Sequence, residues 1–94
     1  MADWVRARHI QMSEEAGCQR LIEQLALGAD FESLARDHSL CTTARHGGQL
    51  GMFSRGQMGS AIDEVVFQGE VGSLYGPVES EYGFHIIQIL EKNP

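Results

Sequence analysis

Four side chains of this 94-residue chain have the chemistry to act on a substrate. They are His9 and His85, each inside a run that reads as a strand, Cys41 at the head of a Gly-rich segment, and Ser80 on the strand before His85. A thiol beside an imidazole suggests nucleophilic catalysis, because a neighbouring imidazole lowers the thiol pKa and activates it. Zinc is the second chemistry these residue types suggest. It is weakly supported, since His9, Cys41 and His85 lack the close-set pairs of zinc sites and no fourth ligand is evident. No metal and no cofactor are therefore expected. A cysteine hydrolase would also need an oxyanion hole and an oriented base, and no nucleophile motif surrounds Cys41. A buried histidine standing alone is most often a hydrogen-bonded structural residue; the company these two keep is what singles them out.

Composition narrows the classes. The chain is long enough for one domain, 1–94, and too short for two, because smaller pieces would bury too little surface. A hydrophobic share of 43% and a charged share of 21% are those of a folding globular protein. Thirteen acidic against seven basic side chains leave a net charge of -6, so the chain as a whole has no electrostatic reason to seek nucleic acid or anionic lipid. No stretch approaches the roughly 18 apolar residues of a membrane span. The opening Met1-Ala2-Asp3-Trp4, followed by Arg6, Arg8 and His9, lacks the apolar middle of a secretory signal, so a cytoplasmic location is expected. Cys18 and Cys41 fit neither a metal motif nor a disulfide scaffold, and two free thiols are expected.

The elements that must position these residues follow from periodicity and punctuation. Asp3 to Met12 alternates as a strand does, with Val5, Ala7 and His9 on one side. Ser13 is placed to cap a helix with Glu14 and Glu15 in its first turn and Gly28 after its end, burying Cys18, Leu21, Ile22 and Leu25. Asp30 is placed to cap a second helix that turns Phe31, Leu34 and Ala35 inward and ends near His38. Cys41 to Gly48 has turn composition, and a short strand from Gln49 to Phe53 follows. Ser60 with Asp63 predicts a capped helix to about Phe67. Pro77 to Ser80 reads as a strand with its proline at the start, joined through Glu81-Tyr82-Gly83 to the strongest strand, Phe84 to Leu90, where His85 and Ile87 share a face. Lys92-Asn93-Pro94 reads as a frayed end. The result is an α+β fold: a four-stranded, mostly antiparallel sheet surrounded by helices, in the order β-α-α-(α)-β-α-β-β.

Four fragments then stand in one order at compatible spacing. They are Arg8-His9-Ile10, the Gly28-Ala29-Asp30-Phe31 junction, the run Gly47-Gly48-Gln49-Leu50-Gly51-Met52-Phe53-Ser54-Arg55-Gly56-Gln57-Met58, and Tyr82-Gly83-Phe84-His85-Ile86-Ile87. Together they resemble the parvulin family of peptidyl-prolyl isomerases over nearly the whole chain. The resemblance implies one crossed sheet carrying both histidines side by side, and a polar cluster of His9, Cys41, Ser80 and His85. It also implies that Leu50, Met58 and Ile62 line a pocket for the substrate proline ring, with Phe53 as an aromatic wall. Substrates would be proline-containing peptides and unfolded or partly folded proteins, bound by a monomer that assists folding. Arg45, Arg55 and Gln57 border the cleft, where they would contact peptide backbone or acidic side chains.

Two departures from the family pattern bear on specificity. Many relatives carry phenylalanine where this chain has Ile62, so a wider pocket with altered preference is expected. The loop after the first strand, Gln11-Met12-Ser13-Glu14-Glu15, is acidic and would repel a phosphate, so a preference for phosphorylated residues before proline is not expected.

Rotation about an X-Pro bond crosses a barrier of ~18–20 kcal/mol set by amide resonance, and no bond need break. An apolar pocket that grips the ring favours the twisted amide, which has lost resonance and prefers a drier setting. Cys41 could attack the carbonyl carbon or supply only a polar contact; the second is favoured, because isomerisation has no leaving group. If His9 and His85 hydrogen-bond across adjacent strands, they hold each other's tautomer and the register of the sheet. From a different class, a non-catalytic peptide-binding or chaperone module would use the same pocket.

Overall fold

The computed structural model describes residues 3–93. Met1, Ala2 and Pro94, read above as parts of the opening segment and the chain end, lie outside the described residues. Four strands, β1 (Trp4–Met12), β2 (Gln49–Ser54), β3 (Leu74–Ser80) and β4 (Gly83–Lys92), form one sheet in the order β2-β1-β4-β3, with every neighbouring pair antiparallel. Three helices, α1 (Glu15–Ala26), α2 (Phe31–His38) and α3 (Ser60–Gln68), and one 3-10 turn over Thr42–His46 complete the fold.

The strands sort their side chains between two apolar clusters. On one face Val5, Ala7, Phe53, Ile87 and Ile89 meet Ile62, Val66 and Phe67 of α3. On the other, Ile10 and Ile86 meet Cys18 and Leu21 of α1 and Phe31, Leu34 and Ala35 of α2. β4 is central and feeds both clusters, which is why its sequence is apolar at consecutive positions rather than alternating. Each fully buried isoleucine of β4 contributes on the order of 1.5–3 kcal/mol by leaving water.

Local signals decide the ends of the elements, with four differences from expectation. Asp30 caps α2 as its sequence implies, its Oδ2 accepting from the Ser33 amide at 3.0 Å. Ser13 does not cap α1; Glu14 occupies that position with no side-chain hydrogen bond. Ser60 does not cap α3 either, since Gly59 stands at the cap, and Asp63 instead accepts from the Gly56 amide and ties down the β2–α3 turn. β3 begins at Leu74, earlier than its proline suggests, and Pro77 sits within it at a register shift between Tyr75 and Val78. An edge strand tolerates the missing N–H there. The chain end is also anchored rather than frayed: Lys92 Nζ donates to the Phe67 and Gly69 carbonyls at the end of α3, and Asn93 Oδ1 accepts from the Asp3 and Trp4 amides.

Candidate active site

β1 and β4 are hydrogen-bonded neighbours, and their register pairs His9 with Ile87 and Gln11 with His85. The two histidines are therefore diagonal neighbours on the face that carries α3. Their rings stack with centroids 5.2 Å apart and planes 12° from parallel, and their Nδ1 atoms are 3.1 Å apart. Both are buried, at 3% and 2% exposed. Burial first, and then the nearby His85, pulls the His9 pKa down to about 4; burial lowers His85 as well. Both rings are thus neutral at pH 7. One Nδ1 must donate and the other accept, so the tautomer of each ring fixes the tautomer of its neighbour.

Each outer nitrogen meets a hydroxyl. His9 Nε2 lies 3.2 Å from Thr43 Oγ1, and His85 Nε2 lies 2.6 Å from Ser80 Oγ. Thr43, His9, His85 and Ser80 form one hydrogen-bonded chain across β1, β4, β3 and the 3-10 turn. It has two self-consistent proton arrangements that differ only in direction. Thr43 escapes a reading of the sequence because a Thr-Thr pair in a turn looks like ordinary turn composition. Its one signal is a hydroxyl two positions after Cys41.

The turn that carries Thr43 is tied to β1 through Gly48. The Gly48 amide donates to the Thr43 carbonyl at 3.0 Å, and the His9 amide donates to the Gly48 carbonyl at 2.9 Å. Gly48 has φ +84°, and a Cβ there would run into the His9 carbonyl oxygen, so glycine is required for this approach. Cys41 stands at the N-terminal cap of the same turn, half-buried and unpaired. Burial pushes its thiol pKa up, but hydrogen bonds from the side chains and amides of Thr43 and Thr42 together outweigh burial and bring it below the usual thiol value. Thr43, whose hydroxyl also meets His9 Nε2, is thus one of the groups that lower the Cys41 thiol. Among the described residues no group of three or more His, Cys, Asp or Glu side chains comes together to hold a metal ion.

Beside Ser80 opens a cleft of about 310 Å³ between two walls. Met58, Gly59, Ser60, Ala61 and Ile62 form one wall, and Ser80, Glu81 and Tyr82 the other. Of the four residues expected to line a proline pocket, Met58 and Ile62 line this cleft, and Leu50 and Phe53 do not. Phe53 is buried at 4% exposed and packs edge-on against Phe67, with centroids 6.2 Å apart, so its ring belongs to the core. Leu50 is half-buried against that same cluster and stands outside the cleft. An apolar residue one or two positions along a strand reads identically whether it faces a pocket or the core behind it. Two of the expected bordering residues are also engaged: the Arg55 guanidinium lies 4.5 Å over the Phe67 ring, and Gln57 Oε1 accepts from the Ser54 amide.

Residues 3–93 match the model of the PPIC-type PPIASE domain. The chain belongs to this parvulin family of peptidyl-prolyl isomerases. Among curated relatives, it is 36% identical over 85 residues to the foldase protein PrsA of Caldanaerobacter subterraneus, covering 89% of this chain and 28% of that one. It is 40% identical over 91 residues to the putative peptidyl-prolyl cis-trans isomerase dodo of Drosophila melanogaster, covering 92% of this chain and 54% of that one. The structure of Pin from the archaeon Cenarcheaum symbiosum superposes with a TM-score of 0.84 at 34% identity, covering 97% of this chain and 95% of that one. The chain spans under a third of the length of the PrsA foldase it matches. As a parvulin domain it has the α+β order and the antiparallel four-stranded sheet expected from its sequence, with the histidine pair on the two central strands.

Proposed function

We propose that this chain catalyses cis-trans isomerisation of X-Pro bonds in peptides and in unfolded or partly folded proteins, and that it does so without a covalent intermediate. The observation that carries the reading is Ser80. Its Oγ ends the hydrogen-bonded chain that runs through His85 and His9, and the residue also lines the cleft with Met58 and Ile62. An apolar grip on the proline ring and a polar chain beside the rotating carbonyl therefore meet at one residue. Met58 and Ile62 hold the ring, and to Cys41, half-buried at the cap of the 3-10 turn, we assign a polar rather than a nucleophilic role. The buried, neutral histidines hold the register of β1 against β4 and orient Ser80 and Thr43. Their role is positioning, since neither ring lines the cleft.

Unphosphorylated substrates suit the surface. Glu14 and Glu15 are exposed after β1, and Glu81 stands in the cleft wall, so a phosphate there would meet like charge. Two free thiols, one of them buried, suit a reducing compartment, and on that ground we place the protein in the cytoplasm. The test is acceleration of cis-trans exchange by the protein across a panel of peptides that vary the residue before proline. Peptides that bind without any acceleration would replace this reading with a non-catalytic peptide-binding module.

A further inference from the structure

We propose that Tyr82 is the aromatic wall of the proline cleft, a specificity-determining residue carried by the β3–β4 turn rather than by the sheet or α3. The inference rests on the isomerase reading above. The opposite wall, Met58 to Ile62, carries no aromatic side chain; its large apolar residues are Met58 and Ile62, and Ile62 is 7% exposed. The two nearby phenylalanines are unavailable. Phe53 and Phe67 are buried edge-to-face against each other, and the Arg55 guanidinium lies over Phe67. Among the described residues Tyr82 is the one aromatic lining the cleft, and it is 71% exposed.

Its backbone is held on both sides of the ring. The Tyr82 amide donates to Ser80 Oγ at 3.1 Å, and its carbonyl accepts from Gln11 Nε2 at 3.0 Å. With the backbone fixed, two side-chain torsions remain to be ordered on binding, so the ring closes on a ligand at low entropic cost. Ser80 Oγ is also the atom that meets His85, so the ring is held in register with the polar chain. The face of a tyrosine ring is electron-rich, and the C–H groups of a proline ring next to its amide nitrogen are polarised to pack on it. An exposed aromatic opposite aliphatic walls therefore fits a saturated five-membered ring better than solvent.

The test uses Tyr82→Ala, Tyr82→Phe and the double variant Ile62→Phe/Tyr82→Ala, with X-Pro exchange and proton NMR of the bound peptide as readouts. Tyr82→Ala is expected to raise KM about tenfold, with kcat little changed. Bound wild type is expected to shift the proline ring protons upfield, and Tyr82→Ala to lose that shift. Tyr82→Phe, which keeps the ring, and the double variant, which supplies a ring from α3, are both expected to recover the loss. An unchanged KM and unchanged proline shifts in Tyr82→Ala would overturn the proposal, as would a KM for Tyr82→Phe as high as that of Tyr82→Ala. If wild type binds peptides but accelerates none, the isomerase reading fails while the proline shifts still report on Tyr82.

Discussion

His9 and His85 meet Nδ1 to Nδ1 at 3.1 Å, diagonally across two antiparallel strands, so neither ring can choose its tautomer alone. The same contact that orders the site also closes the centre of the sheet. Removing either ring leaves the other buried with an unpaired nitrogen, a cost of about 1–3 kcal/mol. His85→Ala is expected to lower both the isomerisation rate and Tm, by roughly 4–8 °C for each kcal/mol lost in a domain of this size. The double variant His9→Ala/His85→Ala is expected to lose less stability than the sum of the two single changes. Thermal melts of the three variants check this; His85→Ala losing rate with Tm unchanged would contradict it.

Acid should unfold the protein through the same pair. Burial lowers both histidines, His9 to about 4, whereas an unfolded histidine titrates near 6.5. Between those values the unfolded chain binds more protons than the native one, so stability falls as pH falls. Nothing is lost above about pH 6.5, and for His9 the penalty is complete by about pH 4. Urea midpoints measured from pH 7 to pH 4 should drop through this window, and a flat profile would count against neutral buried rings.

Thiol reactivity separates the two cysteines. Cys18 is fully buried and its pKa is pushed up to about 11, by burial and then by Glu15. Cys41 is half-buried and its pKa is lowered. Iodoacetamide on the native protein near pH 7.5 is expected to label Cys41 and spare Cys18, as mass spectrometry of the digest would show. Thr43→Val removes a hydroxyl that serves both Cys41 and His9, so it should slow labelling of Cys41 and reduce the isomerisation rate together. Thr43→Ser should restore both; labelling unchanged in Thr43→Val would break the link.

Asp30 offers a control on stability alone. Its carboxylate accepts from the amide and the hydroxyl of Ser33 at the start of α2, away from the cleft. Asp30→Ala is expected to lower Tm by a few degrees while leaving KM and kcat in place. A change in KM would show that α2 communicates with the cleft.

Much of this was legible because it is written locally. The consecutive apolar residues of β4 announce a strand buried on both faces, and Asp30 three positions before Ser33 announces a cap. The alternation that puts His9 with Val5 and Ala7, and His85 with Ile87, already places both histidines on one face once the strands are neighbours. What was not legible depends on which side of a wall a side chain stands. Phe53 belongs to the core and Tyr82 to the cleft, yet neither residue type nor spacing tells the two apart; the one hint was a large aromatic in a two-residue turn. Ser13 and Ser60 looked like caps by composition, but the chain enters α1 one residue later, at Glu14, and α3 one residue earlier, at Gly59.

The central claim is that bond rotation here needs the cleft and the polar chain but no covalent adduct. The most direct test is NMR exchange of a good X-Pro peptide with Cys41→Ser, with circular dichroism to establish the fold. The variant is expected to keep a measurable fraction of the wild-type rate, because serine still offers a polar contact to the carbonyl. Loss to background exchange in a folded Cys41→Ser protein would contradict the account and make the thiol a nucleophile.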